Sequence, residues 1–291
     1  MIAIQDESFA HIFGQLQHLL LDVEPVHVGE WQSKKLEDNP SMTYMRELLH
    51  VTLEWPMPDI KEVLAEATGA HLPWAEDHFQ ERVSGQPMNP PPSNEWWPFA
   101  QQANLDHKSD GTIFSHTYPE RFWPKLAGEL IEYDDIVGQD GAILAHVPTR
   151  QNWGIRYPYG DLQDVVNLLR ASPNTRQAFL PVWFPEDTGS VHGERVPCTL
   201  GYHFMIRDKQ LHIDYLIRSC DLIRHFQDDV YMAVRLAQWV LAEINHDGEN
   251  RKLREPYVLG NFHMNIGNLH TFNGDTAMMK YRDGRGSAWN V

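Results

Sequence analysis

Residues 200–217 constrain the fold more than any other stretch of this sequence. Leu200 to Ile206 and Leu211 to Ile217 read as two strands separated by the polar run Arg207-Asp208-Lys209-Gln210, which is the pattern of an antiparallel hairpin with a short turn. A long helix is predicted next, from Asp229 to Ile244, with Val230, Val234, Leu236, Ala237, Val240 and Leu241 forming its buried face. Tyr257 to Phe272 is strand-like again, with Gly260 and Gly267 as interruptions. Hairpin, helix and strand in succession point to a mixed α/β (α+β) domain.

The remainder of the chain adds helices to that frame. Ser8 to Val23 carries Phe9, Ile12, Phe13, Leu16, Leu19 and Leu20 at helical spacing. Met42 to Leu53 fits a helix or a strand, and Pro56 and Pro58 end it. Helices are predicted over Trp74 to Val83, closed by Ser84-Gly85, and over Leu162 to Ala171, followed by the turn Ser172-Pro173-Asn174 and a strand from Ala178 to Phe184. Residues 86–98 are proline-dense and contain Trp96 and Trp97, the composition of a packed loop. No repeat, charge block or linker divides the chain, so one domain over 1–291 is the simplest organisation.

Charge narrows the partners. With 24 Lys and Arg against 40 Asp and Glu, the net charge of −16 disfavours a sequence-independent nucleic-acid binder, whose affinity comes from many cationic contacts to phosphate. A local basic pocket for one small anion is still allowed. Hydrophobic residues at 42% and a mean hydropathy of −0.47 describe a soluble folded protein. The start, Met1 followed by IAIQDESF, lacks the features of a secretory leader, and no apolar run has the length of a membrane span; a cytoplasmic protein is expected, in the host cytoplasm if the source is viral.

The two cysteines, Cys198 and Cys220, provide neither a disulfide framework nor a zinc cage. Each sits in a motif: Pro197-Cys198-Thr199 opens the first hairpin strand, and Arg218-Ser219-Cys220-Asp221 closes the second. A third motif, Asn268-Leu269-His270, lies in the last strand. Considered alone, Cys198 reads as a small buried residue after a proline rather than as a nucleophile.

These three motifs, with the Asp208-Lys209 turn at the same spacing, resemble the thymidylate synthase superfamily, most closely its branch of phage-type deoxycytidylate (dCMP) hydroxymethylases. The resemblance covers residues 161–233 and 259–272. It implies a thymidylate synthase-like fold, a large mixed sheet packed against helices, assembled as a sheet-mediated homodimer. It also implies a one-carbon transfer from 5,10-methylenetetrahydrofolate, as co-substrate, to C5 of dCMP, with no metal.

Under that resemblance Cys198 adds to C6 of the pyrimidine and turns C5 into a nucleophile. Arg218 provides positive charge for the thiolate and holds the substrate phosphate, with Ser219 adding a hydroxyl. Arg176 matches the position from which the partner subunit reaches the same phosphate. Gln177 replaces a second arginine there, and Lys34 or Lys35 is a candidate to complete the grip, although a solvated surface cation is the simpler reading of both. Asp221 matches the aspartate that binds the pterin, Tyr118 a tyrosine of the proton network beside C5, and Trp97, with Trp96, walls the folate site. The catalytic glutamate is assigned to Glu81, with Glu47 and Glu76 as alternatives. Asn268 and His270 fall on the nucleotide. Phe272, His225 and His203 depart from the family pattern, which has a tyrosine, a glycine and a glutamine there.

Asp229 matches the position where thymidylate synthases carry an asparagine that reads uracil. A carboxyl accepts from the cytosine amino group and, protonated, donates to N3, so this exchange points to dCMP. An N-cap aspartate is the plainer alternative, and Asp228 leaves the register open by one. Methylation of dCMP with hydride from folate, a dUMP-specific enzyme and a catalytically silent nucleotide-binding relative are the competing readings. The sixteen histidines show no His-x-His or HExxH pattern that would favour a metal site.

Overall fold

The computed structural model describes residues 2–28, 30–31, 34–35, 40–99, 114, 116–127, 133–137, 141–148, 160–188, 196–247, 251–252 and 255–279. In chain order the strands are β1 (Ile2–Gln5), β2 (Val26–His27), β3 (Glu30–Trp31), β4 (Lys34–Lys35), β5 (Tyr44–Pro56), β6 (Tyr133–Val137), β7 (Ile143–Pro148), β8 (Phe179–Pro181), β9 (Thr199–Arg207), β10 (Gln210–Asp221), β11 (His246–Asp247), β12 (Arg251–Lys252) and β13 (Val258–Phe272). The helices are α1 (Phe9–Asp22), α2 (Pro40–Thr43), α3 (Lys61–Thr68), α4 (Trp74–Val83), α5 (Tyr118–Phe122), α6 (Leu162–Ala171) and α7 (Phe226–Ile244). The side chains of Lys34 and Lys35 lie outside the described residues.

Seven strands form one mixed sheet in the order β1-β5-β13-β10-β9-β8, with β2 paired to β5. The hairpin β9–β10 turns at Asp208 and Lys209, both at positive φ (50° and 62°), the backbone of a two-residue turn that matches strand twist. From β10 the chain crosses through α7 to β13, which lies parallel to β10. β5 then pairs antiparallel to β13 and parallel to β1.

Alternation explains which face packs. Leu211, Ile213, Tyr215 and Ile217 of β10, and Phe262, Met264 and Ile266 of β13, are buried, as are Val51, Leu53 and Trp55 of β5. The buried stripe of α7 covers them, and Phe226 at its start stacks on Phe9 and Phe13 of α1 at 5.7 and 6.0 Å between centroids. The other face carries partly buried polar side chains, among them His203, His212, Asp214, His263 and Asn265. The expected large mixed sheet packed against helices is therefore what the chain forms.

Several element boundaries differ from the sequence reading. The ambiguous stretch after Met42 is a single turn of helix ending at Thr43 and then a 13-residue strand. The strand expected over Ala178 to Phe184 pairs only from Phe179 to Pro181, because proline has no N–H to continue the ladder. β13 runs unbroken for 15 residues, but its pairing with β10 shifts register at Gly260, between Leu211–Leu259 and Ile213–Phe262, as the sequence suggested; no such shift falls at Gly267. Both glycines also mark close approaches: a Cβ at 260 would meet the His212 ring at 2.6 Å, and one at 267 the Arg218 carbonyl oxygen at 2.7 Å. The long helix begins at Phe226, three residues before Asp229.

Candidate active site

The site forms where β9 begins and β10 ends. Ile217 pairs with Thr199 while Leu216 pairs with Gly201, so Leu200 is an extra residue, a bulge of the kind that re-aims side chains. Its carbonyl accepts from Val182 N (3.0 Å) and Trp183 N (3.1 Å), and the next rung puts Arg218 N on Cys198 O at 2.9 Å. The guanidinium then folds back on the cysteine segment. Arg218 Nε donates to Pro197 O (2.8 Å), and Nη2 donates to Val196 O (3.2 Å) and lies 3.9 Å from Cys198 Sγ. The arrangement sets a fixed cation beside a half-buried sulfur.

Parallel pairing of β10 with β13 brings the third motif alongside. Ser219 is opposite Asn268 and Asp221 is opposite His270. Asn268 donates to Glu47 Oε1 of β5 (3.0 Å), and its Oδ1 lies 3.1 Å from His270 Nδ1, itself 3.4 Å from Ser219 Oγ. Burial lowers the His270 pKa to about 4, so the ring is neutral near pH 7.

Two aspartates are held near neutrality. Asp229 is in the first turn of α7 and is not its N-cap, a position taken by His225. Burial raises its pKa to about 7 against the opposing charge of Arg82, and Cys220 Sγ lies 3.7 Å from Oδ2. Asp228 points elsewhere, accepting from His71 N (2.8 Å) and pairing with His71 Nδ1 (3.0 Å). Asp221 is raised to about 6 by burial; its Oδ1 accepts from Ile223 N and Arg224 N, while Oδ2 is buried with no hydrogen-bond partner among the described residues. Cys220 is fully buried, and burial pushes its thiol well above the ordinary range.

Tyr118, at the start of α5, reaches Thr199 Oγ1 with its hydroxyl at 3.0 Å, and Thr199 Oγ1 is 2.9 Å from the Tyr215 hydroxyl. This hydroxyl chain runs beside Cys198. Burial raises the Tyr118 pKa, and the nearby Cys198 adds to the shift, so the phenol stays protonated. Trp97 stacks on His225 (5.2 Å, 19°), whose amide donates to Asp221 O, so the aromatic wall and Asp221 are neighbours. Trp97 Nε1, like Asp221 Oδ2, is buried without a hydrogen-bond partner among the described residues, although Arg224 Nε lies 3.8 Å from that Oδ2.

Other expected site residues lie apart from this group. Arg176 is exposed in the turn after α6, where its carbonyl accepts from His203 Nε2 at 3.0 Å. Glu81 accepts from Ser93 N (2.6 Å), Ser93 Oγ and His78 Nδ1, clamping the proline-rich loop to α4. Glu76 is held by Arg235 and Tyr231; burial would raise its carboxyl, but hydrogen bonds from Arg235, Tyr231 and Gln80 lower it to about 2. Two residues in contact with Tyr118 escape sequence reasoning. Thr199 follows the cysteine directly, and Arg82 falls on the apolar stripe of α4 with Trp74, Ala75, Phe79 and Val83, which was its only signal. Among the described residues no group of three His, Cys, Asp or Glu side chains could hold a metal ion, and no helix is long and apolar enough to cross a membrane.

Comparison with known proteins adds a family to this geometry. The family model described as "Thymidylate synthase" matches residues 121–279, more than half of the chain. A "Putative thymidylate synthase" of Methanosarcina mazei is 29% identical over 83 residues, which cover 28% of this chain and 37% of that protein. The chain thus spans little more than a third of the length of the curated relative it matches.

Proposed function

Because the chain belongs to the thymidylate synthase family, we propose that it transfers a one-carbon unit from 5,10-methylenetetrahydrofolate to C5 of dCMP, giving 5-hydroxymethyl-dCMP. The observation that carries this reading is the pairing of Cys198 Sγ with Arg218 at 3.9 Å, beside an aspartate held at about 7 where a base would be read.

In this reading the Cys198 thiolate adds to C6, and the electron pair released at C5 attacks the methylene carbon of the folate. Loss of the C5 proton and departure of tetrahydrofolate leave an exocyclic methylene. Water adds to it, and the sulfur leaves as C5=C6 reforms. Arg218 keeps charge at the sulfur and, with Ser219, meets the phosphate. Asp229, partly protonated near pH 7, donates to N3 and accepts from the 4-amino group, a pattern uracil cannot return. Asn268 and neutral His270 face the sugar side through Ser219. The Tyr118–Thr199–Tyr215 hydroxyls offer a path for a proton near C5.

The folate site in this reading uses Asp221 and Trp97. The residues fit a pterin: Oδ2 of Asp221, which has no hydrogen-bond partner among the described residues and lies 3.8 Å from Arg224 Nε, meets its ring donors, and the Trp97–His225 stack offers an aromatic wall. Exposed Arg176 fits a role across a homodimer, reaching the phosphate of the partner subunit. Glu81 is the assigned glutamate, and its freedom to act on water depends on release from Ser93.

One assay tests the reading. The protein is incubated with methylenetetrahydrofolate and either dCMP or dUMP, and the product mass and dihydrofolate are measured. A product heavier than dCMP by CH2O, with no dihydrofolate, is expected. Methylated product with dihydrofolate makes the enzyme a methyltransferase, turnover of dUMP alone removes the cytosine assignment, and binding without turnover identifies a silent relative.

A further inference from the structure

Arg82 stands out as a buried cation packed on Tyr118 and acting on Asp229. The side chain is 4% exposed, and its Nε has no hydrogen-bond partner among the described residues. Its guanidinium carbon lies 4.0 Å from the centroid of the Tyr118 ring, whose hydroxyl leads to Thr199, the residue after Cys198. The ring face stabilises the charge but offers no strong acceptor. Glu81, next in sequence, is turned away to Ser93 and His78. The groups that feel the charge of Arg82 include Tyr118, Tyr202 and Asp229.

A guanidinium keeps its charge at any physiological pH and presents five N–H donors in a plane. Burying it without acceptors is costly, and a helix surface position would have avoided that cost. Among the described residues the chain supplies no acceptor for Arg82 Nε, a need that an acceptor on a bound ligand would meet.

We propose that Arg82 is a substrate-binding residue whose guanidinium donates hydrogen bonds to an acceptor on the pyrimidine ring, beside the edge that Asp229 reads. This rests on the reading of the site as one for a pyrimidine nucleotide. Pyrimidines fit the need, since their ring carbonyl oxygens and nitrogens accept hydrogen bonds. When sulfur adds at C6, electron density moves toward those heteroatoms, and a fixed cation there favours the adduct over the free base.

The test compares wild type, Arg82→Met and Arg82→Lys by calorimetric titration with dCMP and with dUMP, and by thermal unfolding without nucleotide. Arg82→Met is expected to unfold at the same or a higher temperature than wild type, because it removes an unpaired buried charge. It should lose roughly 10- to 100-fold in affinity for whichever nucleotide wild type binds. Arg82→Lys, which keeps the charge but not the planar fork, should fall between the two. A methionine variant that binds within about twofold of wild type overturns the inference alone, because one lost charged hydrogen bond exceeds that change. A lower unfolding temperature in both variants with affinity intact also overturns it, making Arg82 structural. If Arg82→Met does not fold, Arg82→Lys decides: unchanged affinity overturns the proposal and weakened affinity supports it. Wild type that binds neither nucleotide removes the functional reading and this inference together.

Discussion

Arg218 and Cys198 are joined twice: by a backbone hydrogen bond of 2.9 Å from Arg218 N to Cys198 O, and by Arg218 Nη2 lying 3.9 Å from Cys198 Sγ. The backbone link is a rung of the β9–β10 ladder, so sheet register fixes the side-chain approach. Replacing the guanidinium by a neutral amide leaves the rung and removes the charge. Arg218→Gln should slow alkylation of Cys198 by iodoacetamide about tenfold, the ratio that corresponds to ~1.4 kcal/mol of lost charge stabilisation. Mass spectrometry of the alkylated peptides reads this directly, with buried Cys220 as an internal control. Equal rates in the two proteins would separate the arginine from the reactivity of the sulfur.

Asp229→Asn tests the base assignment. An asparagine amide donates to O4 and accepts from N3–H, so the variant should favour dUMP over dCMP, with a reversal in kcat/KM ratio of at least roughly 100-fold, as expected when two polar contacts become mismatched. An unchanged preference would sink the cytosine reading.

The pH dependence of stability contains opposed contributions. Asp221 and Asp229 titrate at about 6 and about 7 in the folded chain, above the unfolded value of ~3.9. Between ~4 and ~7 the folded state holds protons that the unfolded state has released, so their contribution falls as pH rises. His270 and His78, at about 4 when folded, act in the other direction: stability falls as pH drops from ~6.5 toward ~4. Asp229→Asn removes one of the falling contributions. Relative to wild type it should gain stability progressively from pH ~4 to ~7, reaching a few kcal/mol. Urea midpoints at pH 4, 6 and 8 measure this, and parallel profiles would contradict it.

Thr199→Val keeps the shape of the side chain and removes the hydroxyl shared by Tyr118 and Tyr215. Both phenols lose a buried partner, so the variant should lose roughly 1–3 kcal/mol of stability. Thr199→Ser should restore both bonds. If chemical denaturation shows valine and threonine to be equally stable, the hydroxyl chain contributes nothing to the fold.

The sheet was legible because it obeys alternation. Leu211, Ile213, Tyr215 and Ile217 recur every second residue, and the stripe of α7 is equally regular, so hairpin, helix and last strand could all be read. α4 and α6 have the boundaries their apolar spacing gave. Short elements stabilised by neighbours were hidden: β1 has four residues, paired along β5, and α3 is eight residues with little apolar pattern. The site was partly legible for the same reason. Cys198, Arg218 and Asp229 belong to local motifs, whereas the burial of Arg82 and the capture of Glu81 by Ser93 depend on how α4 docks. Spacing along one helix carries no information about its neighbours.

The bulge at Leu200 has company across the sheet. Arg218, one rung beyond it, lies against Gly267, and the β5 residue between Leu49 and Val51 in that row is His50, whose φ of 56° breaks the extended backbone. Two strands, β9 and β5, therefore deviate at one level on either side of the close Arg218–Gly267 contact, like a crease pressed through a stack of paper, and the Cys198 sulfur lies at its end. A crease cannot be flattened at one sheet of the stack without disturbing the others. Substitutions at His50 and Gly267 should for that reason fail to add: a double-mutant cycle of His50→Gly and Gly267→Ala should show coupling above the ~0.3–0.5 kcal/mol scatter of independent sites, although neither residue is part of the proposed chemistry.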